Sequence, residues 1–406
     1  MAGALLLAIA FTLPIWPALA WILAILLLLI AAVNAVRTGS GFAPPSVGSP
    51  VFWAILFYAL HVIGMGWTTN IGFGLFDLES KAPLLVFALL VGLLRLKRTL
   101  AEVLLFVFAS GGAVAVSWHL IAAVIRYAMG TASASVEFYS SAFSAPVHPS
   151  YLALYLCVAI AAWCLTDHHS RLPRVLDVAV FLLLCTGVVL CGSKAGWLVV
   201  AVLLPTVLWI RWRDRWTRLL VMGAMAPTIG LGAGLVAFSP NVQDRVVEAW
   251  NAGQERRVDV DATTSSAVRW VTWNAAITVF KQAPALGAGT GDVKDELLKR
   301  YAEAGQVHAL EKRLNAHNQF LQSAACLGLP GLLSLLAWML LPVVRWRSAG
   351  ALAVVMSVIA IANLLVESML EVQAGTVFIG FILICMPLQR AHVDLRDNKR
   401  PAESTT

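Results

Sequence analysis

ALLLAIAFTLPIWPALAWILAILLLLIAAVNAVR, residues 4–37, decides the fold class. The run is apolar throughout, is interrupted only by Pro14 and Pro17, and stops at the first basic residue, Arg37. It has no basic n-region and no small-residue cleavage site, and it continues into a second apolar stretch, so it is expected to be retained as membrane spans rather than removed as a signal peptide. The prolines make the first piece short, half of a broken pair. Outward from this stretch the same composition persists: 60% of the 406 residues are hydrophobic and 13% are charged. That leaves too few charges to cover a soluble surface, so the chain reads as an all-α polytopic membrane protein.

Stretches long and apolar enough to cross a bilayer number about twelve. They fall near residues 3–13, 18–36, 51–67, 82–97, 99–126, 148–166, 175–191, 195–212, 217–239, 317–344, 350–368 and 373–389. Basic residues follow every even-numbered span: Arg37, RLKR at 95–98, Arg171 and Arg174, RWRDRWTR at 211–218, RWR at 345–347, and the tail from Arg390 to Arg400. The opposite short connections hold only Lys81, Arg126 and Lys194. By the positive-inside rule both termini are cytoplasmic and the other face is external, periplasmic in a Gram-negative cell. The net charge of +7 therefore reflects topology, with membrane lipids as partners. No nucleic-acid-binding signature accompanies it.

The expected organisation is a first bundle of nine spans over 1–239, a polar external loop or helical cap over 240–316, three further spans over 317–389, and a polar cytoplasmic tail over 390–406. Cys157, Cys164, Cys185, Cys191, Cys326 and Cys385 all lie in apolar stretches without a CxxC, as small buried hydrophobes rather than a metal or disulfide framework. Neither a metal nor another cofactor is expected.

Chemistry gathers on the external face, where Lys81, Arg126, His148, Lys194, Arg269, His317, Glu367 and Glu371 converge. Ionisable groups at membrane boundaries are costly and mark substrate pathways. Lys194, in LCGSKAGWLVV, reads either as a lysine snorkelling to the headgroups or as a point charge for a ligand phosphate. Arg269 lies in TTSSAVRWVTWNAAITVFKQ, a Ser/Thr-capped helix whose Trp270, Trp273, Ile277 and Phe280 suit a membrane interface. The arginine there meets lipid phosphates or clamps a pyrophosphate. His317 opens LNAHNQFLQSAACLGLPGLL at 314–333. With Asn315 as cap it would sit in the first helical turn, where the dipole keeps an imidazole neutral and fit to be a general base; satisfied by a neighbouring carbonyl, it would be structural. Asp259-Val-Asp261 offers a DxD pattern in a charged loop, and GAGTG at 287–291 is a turn or a phosphate cradle. Glu367 and Glu371 share a helix face only if the helix continues between them; otherwise they flank a turn.

In order along the chain come HPSYLALYL, GSKAG, Arg269-Trp270-Val271-Thr272-Trp273, Pro284-Ala285-Leu286-Gly287-Ala288-Gly289, and the run from His317 to Leu333. Across residues 145–335 this order resembles the O-antigen ligase and polymerase superfamily of bacterial membranes. The resemblance implies a GT-C-like fold with a periplasmic cap between spans nine and ten. It also implies an inverting glycosyltransferase of the inner membrane, using neither metal nor nucleotide sugar. The donor would be an O-antigen polysaccharide on undecaprenyl pyrophosphate, and the acceptor the lipid A-core of lipopolysaccharide. His317 corresponds to the family's catalytic histidine and Arg269 to its loop arginine. Where members carry Ser-Arg, this chain has Ser193-Lys194, which keeps the charge but loses the planar fork.

A polyprenyl pyrophosphate is already an activated leaving group, so the chemistry needs cations for the departing charge and a base for the incoming hydroxyl. Lys81, Lys194, Arg269 and Arg126 are the candidates for the first and His317 for the second, with Asn318 and Gln322 placed to orient sugars. An O-antigen polymerase or a protein O-oligosaccharyltransferase would use the same donor with another acceptor. A lipid or polysaccharide transporter would explain the spans without needing a base.

Overall fold

The computed structural model describes residues 2–94, 98–131, 133–166, 173–211 and 265–389. Among them the chain is helical, with no strand. The longer helices are α1 (Ala2–Thr12), α2 (Pro17–Thr38), α3 (Pro50–Gly64), α4 (Ile71–Leu93), α5 (Arg98–Ala128), α6 (Pro149–Leu165), α7 (Arg174–Leu190) and α8 (Lys194–Arg211). After residues 212–264 come α9 (Ser265–Gln282), α10 (Val293–Glu303), α11 (Gln319–Val344), α12 (Ala351–Leu364) and α13 (Gln373–Gln389).

Among the described residues four stretches, Pro17–Thr38, Pro50–Trp67, Leu100–Ala128 and Gln319–Val344, are long and apolar enough to cross a membrane; several apolar helices are shorter. This is a multi-pass membrane protein. The ninth expected span, 217–239, and the DxD at 259–261 lie outside the described residues. Pro17 does start a new helix at its first turn, where a missing N–H costs nothing. The eleven-residue α1 extends only about 16 Å, and it packs against α2 and α5. A Cβ at Gly111 of α5 would lie 2.2 Å from the Phe11 carbonyl oxygen, so this glycine permits the close crossing. Helix α6 is buried on every side, with α5, α7, α8 and α12 around it, as a helix apolar all round must be.

The largest departure from expectation is α4. It begins at Ile71 rather than near residue 82, capped by the Asn70 side chain on Phe73 N. Asp77, Glu79 and Lys81 interrupt the apolar pattern there, and Lys81, expected in an external connection, is instead inside the helix and fully buried. The expected span at 350–368 stops at Leu364, and a turn with a 3₁₀ segment, Met369–Glu371, leads into α13. Glu367 and Glu371 therefore flank a turn.

Residues 265–316 form a helical segment with an apolar cluster of its own. Val271, Ala275, Ala276 and Val279 of α9 meet Val293, Leu297 and Tyr301 of α10, and Ala325 to Leu327 of α11 join them. The buried stripe of α9 is this one; Trp270 and Trp273 lie on its less buried side.

Candidate functional site

Two glycine-containing stretches fix how α9 is joined to α11. Helix α11 breaks at Gly328 (φ 64°, ψ −153°), a conformation open essentially to glycine. The 284–289 loop inserts at the break. Leu329 N donates to Pro284 O (2.8 Å), Ala288 N to Ala325 O (2.9 Å) and Gly289 N to Cys326 O (2.9 Å). A Cβ at Gly328 would come within 2.7 Å of Pro284 O, and one at Gly287 within 2.4 Å of the Cys326 carbonyl. Gly291 N donates to the Thr68 hydroxyl. The amides of GAGTG at Ala288, Gly289 and Gly291 are thus spent on the protein itself, which suits a structural joint rather than a phosphate cradle.

Above this joint stands His317, just before α11. The cap of α11 is Asn318, whose side chain accepts from Leu321 N; the expected cap, Asn315, instead accepts from His317 N (3.0 Å). His317 therefore precedes the first helical turn, with φ +47°. A left-handed non-glycine residue costs about 1–3 kcal/mol and persists only where its surroundings over-determine it. Here they do. Ala316 N donates to Gln322 Oε1 (3.0 Å), and Ala316 O accepts from Thr272 Oγ1 (3.1 Å). His317 O accepts from Trp273 Nε1 (3.4 Å), Asn318 N donates to Ser368 Oγ (3.1 Å), and Asn318 O accepts from Gln322 N (2.9 Å). Asn318 and Gln322, expected to orient sugars, are both buried and hold this loop.

Glu367 is the hub. His317 Nδ1 lies 3.2 Å from Glu367 Oε2, and Arg269 Nη2 donates to Glu367 Oε1 at 3.0 Å. Arg269 Nε also donates to Val366 O (3.1 Å), which anchors the guanidinium to the same turn. Burial works to raise the Glu367 carboxyl, but the His317 hydrogen bond and the charge of Arg269 outweigh it and hold the group below the ordinary carboxylate range. In a neutral imidazole, an Nδ1–H donated to the ionised Glu367 is the tautomer that carries its lone pair on Nε2. About a quarter of each of the His317 and Arg269 side chains is exposed, against 10% for Glu367.

The other expected residues are placed differently. Lys81 Nζ sits 2.5 Å from Asp77 Oδ1 and 3.1 Å from Glu371 Oε1, with no exposed side-chain surface. Gln319 ties this cluster to the turn, donating to Glu371 Oε1 (2.9 Å) and accepting from Leu370 N (2.8 Å). Arg126, in the last turn of α5, donates to Glu137 Oε2 (2.6 Å) and Ala142 O (2.8 Å), pinning the connection between α5 and α6. Lys194 opens α8, half-buried. The start of α8 lies against the start of α6, where a Cβ on Gly196 would be 2.9 Å from Ala153 Cβ. His148, the cap residue of α6, is close enough to Glu367, His317 and Arg269 to feel their charges. Lys194 is therefore at the same end of the bundle as the histidine.

Residues 179–336 match the family described as O-antigen ligase. Over that stretch, about two fifths of its length, the chain is similar to the O-antigen ligase and polymerase superfamily. An uncharacterized protein of Haemophilus influenzae is 26% identical over 171 residues, 41% of this chain and 41% of that protein. The chain thus spans about two fifths of the length of the curated relative it matches. The O-antigen ligase match takes in Lys194, Arg269, His317 and both halves of the glycine joint. Glu367 lies beyond it. The signal available in sequence was an acidic pair closing an apolar run; its partners, Arg269 and His317, are 98 and 50 residues away, which no local pattern encodes.

Proposed function

We propose that this protein is an O-antigen ligase, a membrane glycosyltransferase that moves a glycan from undecaprenyl pyrophosphate to a sugar hydroxyl of the lipid A-core, at a site on the periplasmic face of the inner membrane. The observation that carries the reading is the His317 Nδ1 to Glu367 Oε2 contact at 3.2 Å. A carboxylate on one imidazole nitrogen orients the ring and leaves the other able to take a proton. A transporter has no need of such a pair.

In this reading His317 Nε2 removes the proton of the acceptor hydroxyl as its oxygen attacks the anomeric carbon. The bond from that carbon to the phosphate oxygen breaks, the electron pair leaves with the pyrophosphate, and the anomeric centre inverts. Arg269 and Lys194 meet the charge that develops on the leaving group, preorganised donors being worth most where charge appears. Lys81 serves the fold instead, because its charge is already met by two carboxylates. Arg126 positions the connection between α5 and α6. Glu367 also keeps Arg269 in place, and the pyrophosphate would compete with it for the guanidinium. No metal is assigned a step; chelator added to the transfer reaction should leave the rate unchanged.

Reconstitution with a polyprenyl-pyrophosphate glycan and lipid A-core tests the assignment. Extension of the core is expected, and His317→Ala and His317→Gln should each lose about 10²–10⁴-fold in rate while the donor still binds. Extension of a second donor glycan instead of the core would make the protein a polymerase. Near-normal transfer by His317→Gln would remove the base.

A further inference from the structure

Helices α9 and α10 enclose an open groove of about 370 Å³, within the range of small-molecule sites. Its polar wall comprises Asn274, Thr278, Arg300, Tyr301, Glu303 and Gln306. Two observations set it apart from an ordinary surface furrow. Tyr301 is fully buried, yet its hydroxyl has no hydrogen-bond partner. Arg300 is locked by Glu303 (2.5 Å), Gln282 (3.1 Å) and Glu296 (3.5 Å) through its terminal nitrogens, while its Nε is buried and also unpartnered.

A buried unsatisfied polar atom costs about 1–3 kcal/mol, and native folds carry few. Among the described residues eight buried side-chain atoms lack a partner, and these two fall on adjacent residues that line one groove, which singles them out as groups for a ligand. Tyr301 Oη can donate and accept, Arg300 Nε can donate, and Asn274, Gln306 and Glu303 add amide and carboxylate groups at the rim. Two carboxylates, Glu303 and Glu296, face the one guanidinium of Arg300, so the set is negative by one and mixes donors with acceptors, which matches sugar hydroxyls better than a phosphate. Asn274 is five residues beyond Arg269 on one rigid helix, about 7.5 Å along its axis.

We infer that this groove is a saccharide-binding subsite, which holds a sugar of the glycan chain a short distance from the reacting end. The inference rests on the glycosyltransferase reading for its purpose, but its binding test does not require transfer. Two soluble probes distinguish the sources of such a sugar: the polysaccharide released from the lipid-linked donor by mild acid, and the core oligosaccharide released from the acceptor lipid.

Binding of each is measured by saturation-transfer NMR on the full-length protein in detergent, for the wild type, Tyr301→Phe and Asn274→Ala. The wild type is expected to bind one of the probes. Tyr301→Phe should weaken that binding about three- to tenfold, the equivalent of one neutral hydrogen bond, without loss of thermal stability, and Asn274→Ala should weaken it as well. If neither probe binds, or if Tyr301→Phe becomes more stable and binds unchanged, the hydroxyl is only a structural orphan and the subsite is refuted. Binding that depends on Tyr301 in a protein that transfers no glycan would keep the subsite and remove the transferase. Transfer with binding indifferent to Tyr301 would do the reverse.

Discussion

The turn at 365–372 carries one carboxylate at each end, and the two ends teach different lessons about the same chemistry. At Glu367 the carboxylate meets Arg269 and His317 where both cation and imidazole keep an exposed edge. At Glu371 it meets Lys81, itself paired with Asp77, where the ammonium has no exposed surface. An ion pair with an open side can exchange partners with a ligand. A closed one cannot do so without leaving an uncompensated charge in a medium that does not solvate it. Accessibility, rather than residue type, separates the cluster proposed to react from the one that is sealed.

The sharpest way to break this comparison is Lys81→Met. Removing one member of a buried charge cluster typically costs about 3–5 kcal/mol, so the variant is expected to accumulate poorly and to unfold at lower temperature, whereas replacing Lys81, Asp77 and Glu371 together by apolar residues should restore much of the stability. A stable Lys81→Met protein that fails to bind the lipid-linked donor would return Lys81 to the donor site.

At the open cluster, Glu367→Gln keeps the shape but removes the charge that selects the histidine tautomer. Transfer should fall about 10²-fold, in the range of general-base effects, with thermal unfolding little changed. Wild-type kinetics from Glu367→Gln would mean that the contact merely steadies the turn.

A smaller effect is expected at the joint that carries both clusters. Gly328→Ala must place a Cβ 2.7 Å from Pro284 O at positive φ, so it should lower stability by about 1–3 kcal/mol and reduce transfer through misplacement of the His317 loop. Thermal unfolding measured alongside donor affinity separates the two, since donor binding should survive.

The smallest expected effect is at Asp292, where a pH series sharpens the contrast between open and closed groups. Burial works to raise this carboxyl, but the amides of Asn70 and Thr69 and the Thr69 hydroxyl hold it below the ordinary range. Its folded value being depressed, its contribution is fully present above the unfolded value of about 3.9 and is lost as pH falls through the lower folded value. The difference in melting temperature between wild type and Asp292→Asn should therefore be constant from pH 7 to about 5 and shrink in stronger acid. A difference that grows on acidification would contradict this assignment.

Sequence by itself determined the membrane class, because apolar length is a local quantity that lipid reads directly. It also located His317 and Arg269 as the residues whose chemistry stood out from their surroundings, and the run of α9 from its Ser-Ser start. It mistook the start of α4, because Asp77 and Lys81 look like loop residues until each is known to neutralise the other one helical turn away. It placed Asn318 and Gln322 to orient sugars; in the fold their amide oxygens accept from Leu321 N and Ala316 N, and in sequence an amide near a candidate base looks the same whether it faces a ligand or a backbone N–H. Those outcomes depend on which groups meet across long separations, and only the tertiary structure decides that. The turn at 365–372 brings Glu367 between Arg269 and His317, and Glu371 onto Lys81. A charge becomes a catalytic group or a buried strut according to what the fold leaves beside it, since the free energy of a charge is set by its partners and its access to water.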